Sequence, residues 1–261
     1  GVKTAYPQGV QAKEFILPKE LLEQDCVISL SKMKTHALER ITGAVKNSFG
    51  FIYGFHKAKG HTQYPSADSF ARMLIDLNKC VAPKLYVMDG IVAMEGNGPG
   101  SGDPVPMNVL LMSTDPVALD SVFSRLVYLK PEMVPTNYHG EKMGLGTWKE
   151  EEITLLTPDG EISMAEAVKK YGNPAFNVDR TEVRKNIWTR MAGALNIFQK
   201  KPYIEADKCV RCGICVQSCP VPGKAVDFRK GKGKPPVYDY RKCIRCFCCQ
   251  EMCPKKAIKV K

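Results

Sequence analysis

The chain has 261 residues, of which 44% are hydrophobic and 25% charged, with 11 cysteines and a formal net charge of +11. No apolar stretch approaches the roughly 20 residues that a helix needs to cross a bilayer, so the sequence predicts no transmembrane helix. Eleven cysteines over this length also exclude a small, cysteine-dense secreted domain held together by disulfides.

The first part of the chain alternates predicted strands and helices. Short, nearly continuous apolar runs predict strands at residues 26–30, 85–88 and 109–112. Ser66 is placed to cap one helix, and Thr114 or Asp115 to cap another that begins at Pro116. Continuous apolar strands are typical of a sheet buried on both faces. The predicted fold class is therefore α/β, with a mixed or mostly parallel sheet covered by helices.

A basic segment follows the first predicted strand, at the kind of position where open α/β sheets bind their ligands. It contains Lys34 and His36, and Lys46 follows a few residues later. These side chains could bind an anionic substrate and supply a proton. The alternative is an exposed basic loop with no role of its own.

A glycine-rich segment, residues 89–103, follows the second predicted strand. Its glycines allow the backbone to approach a ligand closely, and Asp89 and Glu95 could act as acid, base or metal ligand. Together with Asn97 and the three residues of the basic segment, they form a set of six candidate catalytic residues. The segment does not lead into a helix N-terminus, so a nucleotide-binding loop is not expected.

Several other reactive side chains are interpreted as structural. His56 and His61 are predicted to be ordinary surface histidines, with metal binding by the pair as the alternative. Cys26 and Cys80 lie in apolar stretches and are expected to be buried, as is Cys248.

Near the C-terminus the pattern C-x-x-C-x-x-C-x-x-x-C-P occurs twice. The two copies contain Cys209, Cys212, Cys215 and Cys219, and then Cys243, Cys246, Cys249 and Cys253. This is the signature of a bacterial ferredoxin with two 4Fe–4S clusters, in which the fourth cysteine of each motif ligates the other cluster. The expected ligand sets are Cys209, Cys212, Cys215 and Cys253 for the first cluster, and Cys243, Cys246, Cys249 and Cys219 for the second.

A pair of structural zinc sites is the alternative interpretation of these cysteines. Zinc requires neither the third C-x-x-C step nor the proline, so the two-cluster interpretation is favoured. Similar sequences around both motifs indicate an internal duplication, with a short strand before and after each motif. The predicted organisation is an α/β lobe at residues 1–180, a connecting helix at 181–200, and a small α+β, ferredoxin-like two-cluster module at 201–261.

The basic charge of the chain is confined to this module. Residues 200–261 contain 16 Lys and Arg against 5 Asp and Glu, whereas residues 1–199 contain 22 of each class. A basic surface could steer an acidic electron donor or acceptor such as a flavodoxin or a ferredoxin. Nucleic-acid binding is the alternative, but no recognition helix or aromatic stacking motif accompanies the basic residues.

Four motifs in the lobe together carry a family resemblance. They are Lys-Thr-His at residues 34–36, Thr-Gly-Ala-Val-Lys-Asn at 42–47, Met-Glu-Gly-Asn-Gly-Pro at 94–99 and Asp-Pro-Val-Ala-Leu-Asp at 115–120. With the cysteine motifs, they resemble the "domain of unknown function 362" family of iron–sulfur proteins. The resemblance implies an architecture and candidate residues, but no reaction. Family members usually carry a further N-terminal segment, so part of the site is expected to lie outside this chain and residues 1–11 to be poorly ordered.

Two functions of different classes follow from these observations. In the first, an oxidoreductase passes single electrons between its clusters and a small anionic substrate or cofactor bound in the lobe. In the second, a non-catalytic, ferredoxin-like electron carrier uses the lobe to dock a redox partner. Both place the protein in a reducing cytoplasm, as in an anaerobe, because clusters and free thiols persist there.

Overall fold

The structure is a computed structural model that describes residues 1–54, 56–182, 201–229 and 231–260. The lobe is built on a four-stranded sheet with the strand order β4-β3-β5-β6. These strands are β3 (Ile28–His36), β4 (Arg40–Thr42), β5 (Leu85–Glu95) and β6 (Asp103–Ser113). Strands β3 and β5 are parallel, and the other two pairs are antiparallel. The sheet is therefore mixed, which confirms the α/β class and shows that the sheet is not mostly parallel.

Seven helices of the lobe are described. They are α1 (Lys19–Leu22), α2 (Ala44–Asn47), α3 (His56–Gln63), α4 (Ala67–Val81), α5 (Pro116–Leu126), α6 (Pro135–Lys142) and α7 (Met164–Tyr171). Single 3-10 turns lie at Ser48–Phe51, Pro131–Met133 and Glu150–Glu152. Ser66 caps α4 and Asp115 caps α5, as the sequence predicts. Each cap accepts hydrogen bonds from backbone N–H groups that have no partner within the helix.

Only one face of the sheet is covered by the described residues. Helices α2 and α5 pack on this face, where Met33, Met88 and Phe123 belong to the core. On the other face Leu30 is 71% exposed and Met112 is 61% exposed. The expectation of a sheet buried on both faces is therefore wrong for the described part of the chain. The apolar runs supply side chains to both faces, because successive residues of a strand point in opposite directions.

The N-terminal residues are ordered, contrary to expectation. Strand β1 (Val2–Ala5) pairs with β2 (Glu14–Leu17). The Asp76 carboxylate accepts hydrogen bonds from the backbone N–H groups of Gln11 and Ala12, at 2.6 and 2.8 Å. A second hairpin, β7 (Leu155–Thr157) and β8 (Gly160–Ile162), lies near β6. The pairing of β1 with β2 and the hydrogen bonds to the buried Asp76 carboxylate hold the N-terminal segment in place.

The C-terminal module consists of short elements around the two cysteine motifs. They are β9 (Pro202–Ile204), α8 (Ile214–Gln217), β10 (Val226–Asp227), β11 (Val237–Tyr238), α9 (Cys248–Glu251) and β12 (Ile258–Val260). Strand β9 pairs with β12 and β10 pairs with β11, so each half of the duplication supplies one strand to each pair. Most of the predicted connecting helix, residues 183–200, lies outside the described residues. Across the described ranges, no helix combines the length and apolar character needed to span a membrane.

Candidate functional site

The C-terminal module contains two cavities, each lined by four cysteines. One is lined by Cys209, Cys212, Cys215 and Cys253. The other is lined by Cys219, Cys243, Cys246 and Cys249. Each set combines three cysteines of one motif with the fourth cysteine of the other. Four thiolates around one cavity fit a 4Fe–4S cluster, which takes one cysteine for each iron.

Apart from the two cysteine cavities, the described ranges contain no group of three or more His, Cys, Asp or Glu side chains arranged to hold a metal ion. The histidine pair considered as metal ligands is also separated by environment. His56 is exposed, whereas His61 is buried and stacks on the Phe70 ring with 4.6 Å between centroids. The prediction that His61 lies at the surface is wrong, because an apolar pocket surrounds its ring.

The two cysteine sets differ in exposure. Cys212, from the first motif, is exposed, whereas Cys246 and Cys249, from the second, are buried. Cys248 is buried as predicted, but Cys26 is exposed. The first set is therefore the more exposed of the two.

The second motif docks on the lobe at the carboxyl ends of the parallel strands β3 and β5. Gln250, on α9, donates hydrogen bonds from Nε2 to the carbonyl oxygens of Asn97 and Gly98, at 2.9 and 3.0 Å. Asn97 in turn donates from Nδ2 to the carbonyl oxygen of Ile258 at 3.1 Å, and Lys256 donates to the carbonyl oxygen of Gly102 at 3.2 Å. Asn97 is thus one hydrogen bond away from the residue next to Cys249.

The loop that carries Asn97 is held tightly against the end of β3. Thr35 Oγ1 donates a hydrogen bond to the carbonyl oxygen of Gly96 at 3.1 Å. A Cβ atom on Gly98 would lie 2.1 Å from the carbonyl oxygen of Thr35, so no residue with a side chain fits there. The sequence predicts that these glycines let the backbone approach a ligand, whereas at Gly98 the backbone approaches that of Thr35.

His36 connects the lobe to the carboxylate of Glu251 at the end of α9. Its Nε2 atom lies 3.4 Å from Glu251 Oε1, and its side chain is fully buried. Its Nδ1 atom accepts hydrogen bonds from the backbone N–H groups of Leu38 and Glu39, both at 3.1 Å. Because Nδ1 is an acceptor, the proton of the neutral ring is on Nε2 and points towards Glu251.

Two lysines, Lys34 and Lys46, lie near the contact between His36 and Glu251. Burial and then the positive charge of Lys46 lower the pKa of His36 to about 4. Burial opposes ionisation of Glu251, but the contact with His36 and the charge of Lys46 outweigh it and lower the pKa of Glu251 to about 2. Burial and the charge of Lys46 also lower the pKa of Lys34. At neutral pH the contact therefore joins a neutral histidine to an ionised carboxylate near positive charge.

Helix α2, which carries Lys46, is held by Asp120. The Asp120 carboxylate accepts hydrogen bonds from the backbone N–H groups of Ala44 and Val45, at 2.6 and 3.1 Å. Burial raises the pKa of Asp120 to about 7, although these two hydrogen bonds act in the opposite direction. A Cβ atom on Gly43 would lie 1.9 Å from Asp120 Oδ1, so glycine is required at this approach.

The structure brings together four of the six candidate residues. Asn97 and His36 contact α9 directly, and Lys34 and Lys46 lie close enough to act electrostatically on this contact. Asp89 does not, because its side chain is on the open face of the sheet, where it pairs with Lys32 at 2.7 Å. Glu95 also stands apart, since its carboxylate accepts the backbone N–H of Asn177 at 2.7 Å. The basic segment belongs to β3 and is not a loop.

A cleft of about 330 Å³ opens beside this contact, between the lobe and the module. Its lining includes Thr35, Arg40, Asn97, Asn177 and Asp179 from the lobe, and Val260 from β12. Asn97 thus both lines the cleft and contacts the module. The cleft is polar and large enough for a small molecule.

Both parts of the chain match known families. Residues 2–125 match the family described as "Domain of unknown function (DUF362)", and residues 201–254 match the family described as "4Fe-4S dicluster domain". The chain joins a DUF362 domain to a 4Fe–4S dicluster domain. This confirms the resemblance found in the sequence.

A curated relative is similar to part of the chain. It is a thylakoid-associated protein of Synechocystis sp., 42% identical over 130 residues. The match covers 49% of this chain and 40% of the relative, so the chain spans less than half of the relative's length. No solved structure matches the chain.

The sequence did not single out four residues of this site, namely Arg40, Asn177, Gln250 and Glu251. The last two carried a detectable signal in the dicluster domain. Aligning the two cysteine motifs places Gln250 and Glu251 opposite Val216 and Gln217. A polar residue opposite Val216 marks the side of the second motif that contacts the DUF362 domain. Arg40 and Asn177 lie far apart in sequence, and no local pattern relates them.

Proposed function

We propose that the chain is an iron–sulfur oxidoreductase that passes single electrons between its dicluster domain and a small anionic substrate or cofactor bound in the cleft. The dicluster domain supports an electron-transfer role, because bound 4Fe–4S clusters supply one-electron chemistry. The substrate, the reaction and the cytoplasmic setting belong to the proposal.

The hydrogen bond between Gln250 and Asn97 carries this proposal. Gln250 follows Cys249 directly in the chain, and Asn97 lines the cleft. The path from the second cysteine set to the cleft therefore consists of a few covalent bonds and one hydrogen bond of 2.9 Å. A ligand in the cleft would lie beside the domain that supplies electrons, which is what an oxidoreductase needs.

The exposure of the cysteines supports a direction for the electrons. Cys212 is exposed at the first set, whereas Cys249 is buried beside the contact with the DUF362 domain. An acidic donor such as a flavodoxin or a ferredoxin would approach the basic dicluster domain at the first set. The second set would then serve the cleft.

The test is anaerobic reoxidation of the cluster-loaded, dithionite-reduced protein by a small-metabolite extract, followed by optical and electron paramagnetic resonance spectroscopy. The test variant is Asn177→Trp, whose larger side chain should block the cleft from an exposed position. We expect the native protein to be reoxidised and the variant to react at least tenfold more slowly. Equal rates would show that the extract reacts with the clusters directly. No reoxidation by any extract fraction would favour the non-catalytic carrier.

A further inference from the structure

We infer that the cleft recognises a carboxylate group of its ligand through Arg40. The inference rests on the proposed function, because it names the chemical class of the molecule that the cleft takes. Arg40 is the one lysine or arginine among the described residues that line the cleft. Lys34 and Lys46, the cations expected from the sequence, lie near the contact with α9 instead.

The guanidinium group of Arg40 is held in a fixed position. Its Nη1 atom donates to the carbonyl oxygen of Asp179 at 2.7 Å, and its Nη2 atom donates to the carbonyl oxygen of Thr181 at 2.8 Å. A guanidinium has five N–H donors in a planar fork, and these two bonds leave others for a ligand. Such a fork matches the two oxygens of a carboxylate better than a lysine ammonium does.

The backbone of Arg40 provides a second, independent observation. Arg40 pairs with His36 across the three-residue loop between β3 and β4, and its φ is 65°. A left-handed backbone position favours glycine. The sequence has arginine there, at a cost in conformational strain. Backbone strain of this kind is concentrated at binding and catalytic sites, which supports a role for the Arg40 side chain in the cleft.

The remaining lining favours a small carboxylate over a phosphate. Asn97 and Asn177 add amide groups to the cleft, and Asp179 adds a negative charge. Arg40 Nη1 lies 3.9 Å from Asp179 Oδ1, so part of its charge is offset and the cleft suits a monoanionic carboxylate better than a dianionic phosphate. Its volume of about 330 Å³ is at the lower end for small-molecule sites. The expected ligand is therefore a small carboxylic acid.

The test is isothermal titration calorimetry of the oxidised, cluster-loaded protein with acetate, succinate, citrate and inorganic phosphate as probes. We expect saturable binding of at least one carboxylate, at least tenfold tighter than phosphate. Arg40→Lys should weaken that binding at least tenfold, because lysine keeps the charge but lacks the fork. Circular dichroism checks that the variant is folded.

Arg180→Lys is the matched control. Arg180 lies in the same segment as Asp179 and also donates to backbone carbonyls, at 2.7 Å to Val127 and 2.7 Å to Phe176, but it does not line the cleft. The carboxylate affinity of the Arg180→Lys variant should stay within twofold of the native value. The inference is overturned if no carboxylate binds, if phosphate binds as tightly, or if Arg40→Lys binds unchanged.

The outcome is separate from that of the proposed function. Calorimetry on the oxidised protein involves no electron transfer. Cleft-dependent reoxidation without carboxylate binding would overturn the inference and leave the oxidoreductase standing. Carboxylate binding without reoxidation would do the reverse.

Discussion

The Nε2 atom of His36 lies 3.4 Å from Oε1 of Glu251, so a buried histidine of the DUF362 domain faces a carboxylate of the dicluster domain. Glu251 is two residues from Cys249 and two from Cys253, which belong to different cysteine sets. Charges at this contact therefore lie near both predicted clusters.

Removing the charge of Lys46 should lower the reduction potential of a cluster, because a nearby positive charge stabilises the added electron. At an effective dielectric constant of about 20, a charge about 10 Å from a cluster would contribute on the order of 1–2 kcal/mol. Lys46→Met should therefore lower the potential by about 60 mV for a one-electron couple. Glu251→Gln should raise it by a similar amount. Redox titration followed by electron paramagnetic resonance measures both shifts.

Lys3→Met is the control for this experiment. It removes the same charge from an exposed residue of β1 that pairs with Glu14, away from the contact. Its potential should match that of the native protein. Equal shifts in Lys3→Met and Lys46→Met would contradict a local role for Lys46.

The buried histidines should lower the stability of the protein between pH 7.5 and 5.5, whereas the raised pKa of Asp120 acts in the opposite direction over the same range. Burial is the main cause that lowers the pKa of His61 to about 4, as it does for His36. The unfolded chain takes up a proton near pH 6.5, whereas the folded histidine remains neutral until the pH approaches 4. Each histidine should thus cost about 1 kcal/mol of unfolding free energy by pH 5.5.

The variant His61→Phe tests this pH dependence. Phenylalanine can keep the ring packing against Phe49 and Phe70 but cannot titrate. The anaerobic thermal midpoint of the variant, relative to that of the native protein, should therefore be higher at pH 5.5 than at pH 7.5. His56→Gln, at an exposed histidine, should leave the profile unchanged. Parallel profiles for His61→Phe and the native protein would rule out this source of the pH dependence.

The variant Gln250→Val should loosen the contact between the two domains without disturbing the cysteines. Valine is the residue at the equivalent position of the first motif, so the cluster loop tolerates it. The carbonyl oxygens of Asn97 and Gly98 would lose their donor, at a cost of about 1–3 kcal/mol. Hydrogen exchange of residues 248–260 should accelerate roughly tenfold to a hundredfold.

Gln217→Val makes the same chemical change in the first motif, where Gln217 is exposed. Exchange over residues 248–260 should stay at the native rate in this variant. Equal acceleration in both variants would show that the effect arises from the fold of the module and not from the contact.

Serine substitutions test the predicted exchange of ligands between the motifs. Cys209→Ser and Cys253→Ser line the same cavity and should damage the same cluster, although the two residues belong to different motifs. Cys219→Ser should instead resemble Cys243→Ser. Iron analysis and electron paramagnetic resonance would show these paired losses. If Cys253→Ser resembles Cys243→Ser, each motif ligates its own cluster.

The cysteine pattern was the most informative part of the sequence because cluster ligation is largely local. Three thiolates of each set come from one short loop, so spacing alone predicts their proximity. Ligands of open α/β sheets bind at the carboxyl ends of the strands, and this rule predicted a role for Lys34 and His36. The prediction places them correctly because β3 and β5 are parallel and end together.

The positions of some candidate residues were predicted wrongly because they depend on strand length and on packing between domains. Strand β5 continues to Glu95, so Asp89 lies within the strand and its side chain reaches the open face. When a strand contains polar residues, a prediction based on apolar runs makes the strand too short. The contact with α9 also cannot be derived from the lobe alone, because the partners of Asn97 are more than 150 residues away.

The duplicated motifs also have consequences for how this protein can evolve. Two copies of a repeat begin under the same constraints, and the contact through α9 removes that equivalence. Positions 250 and 251 must suit both the module and the DUF362 domain, whereas position 217 faces solvent. The first half of the dicluster domain is therefore free to diverge in sequence, while the second half can change only together with the DUF362 domain.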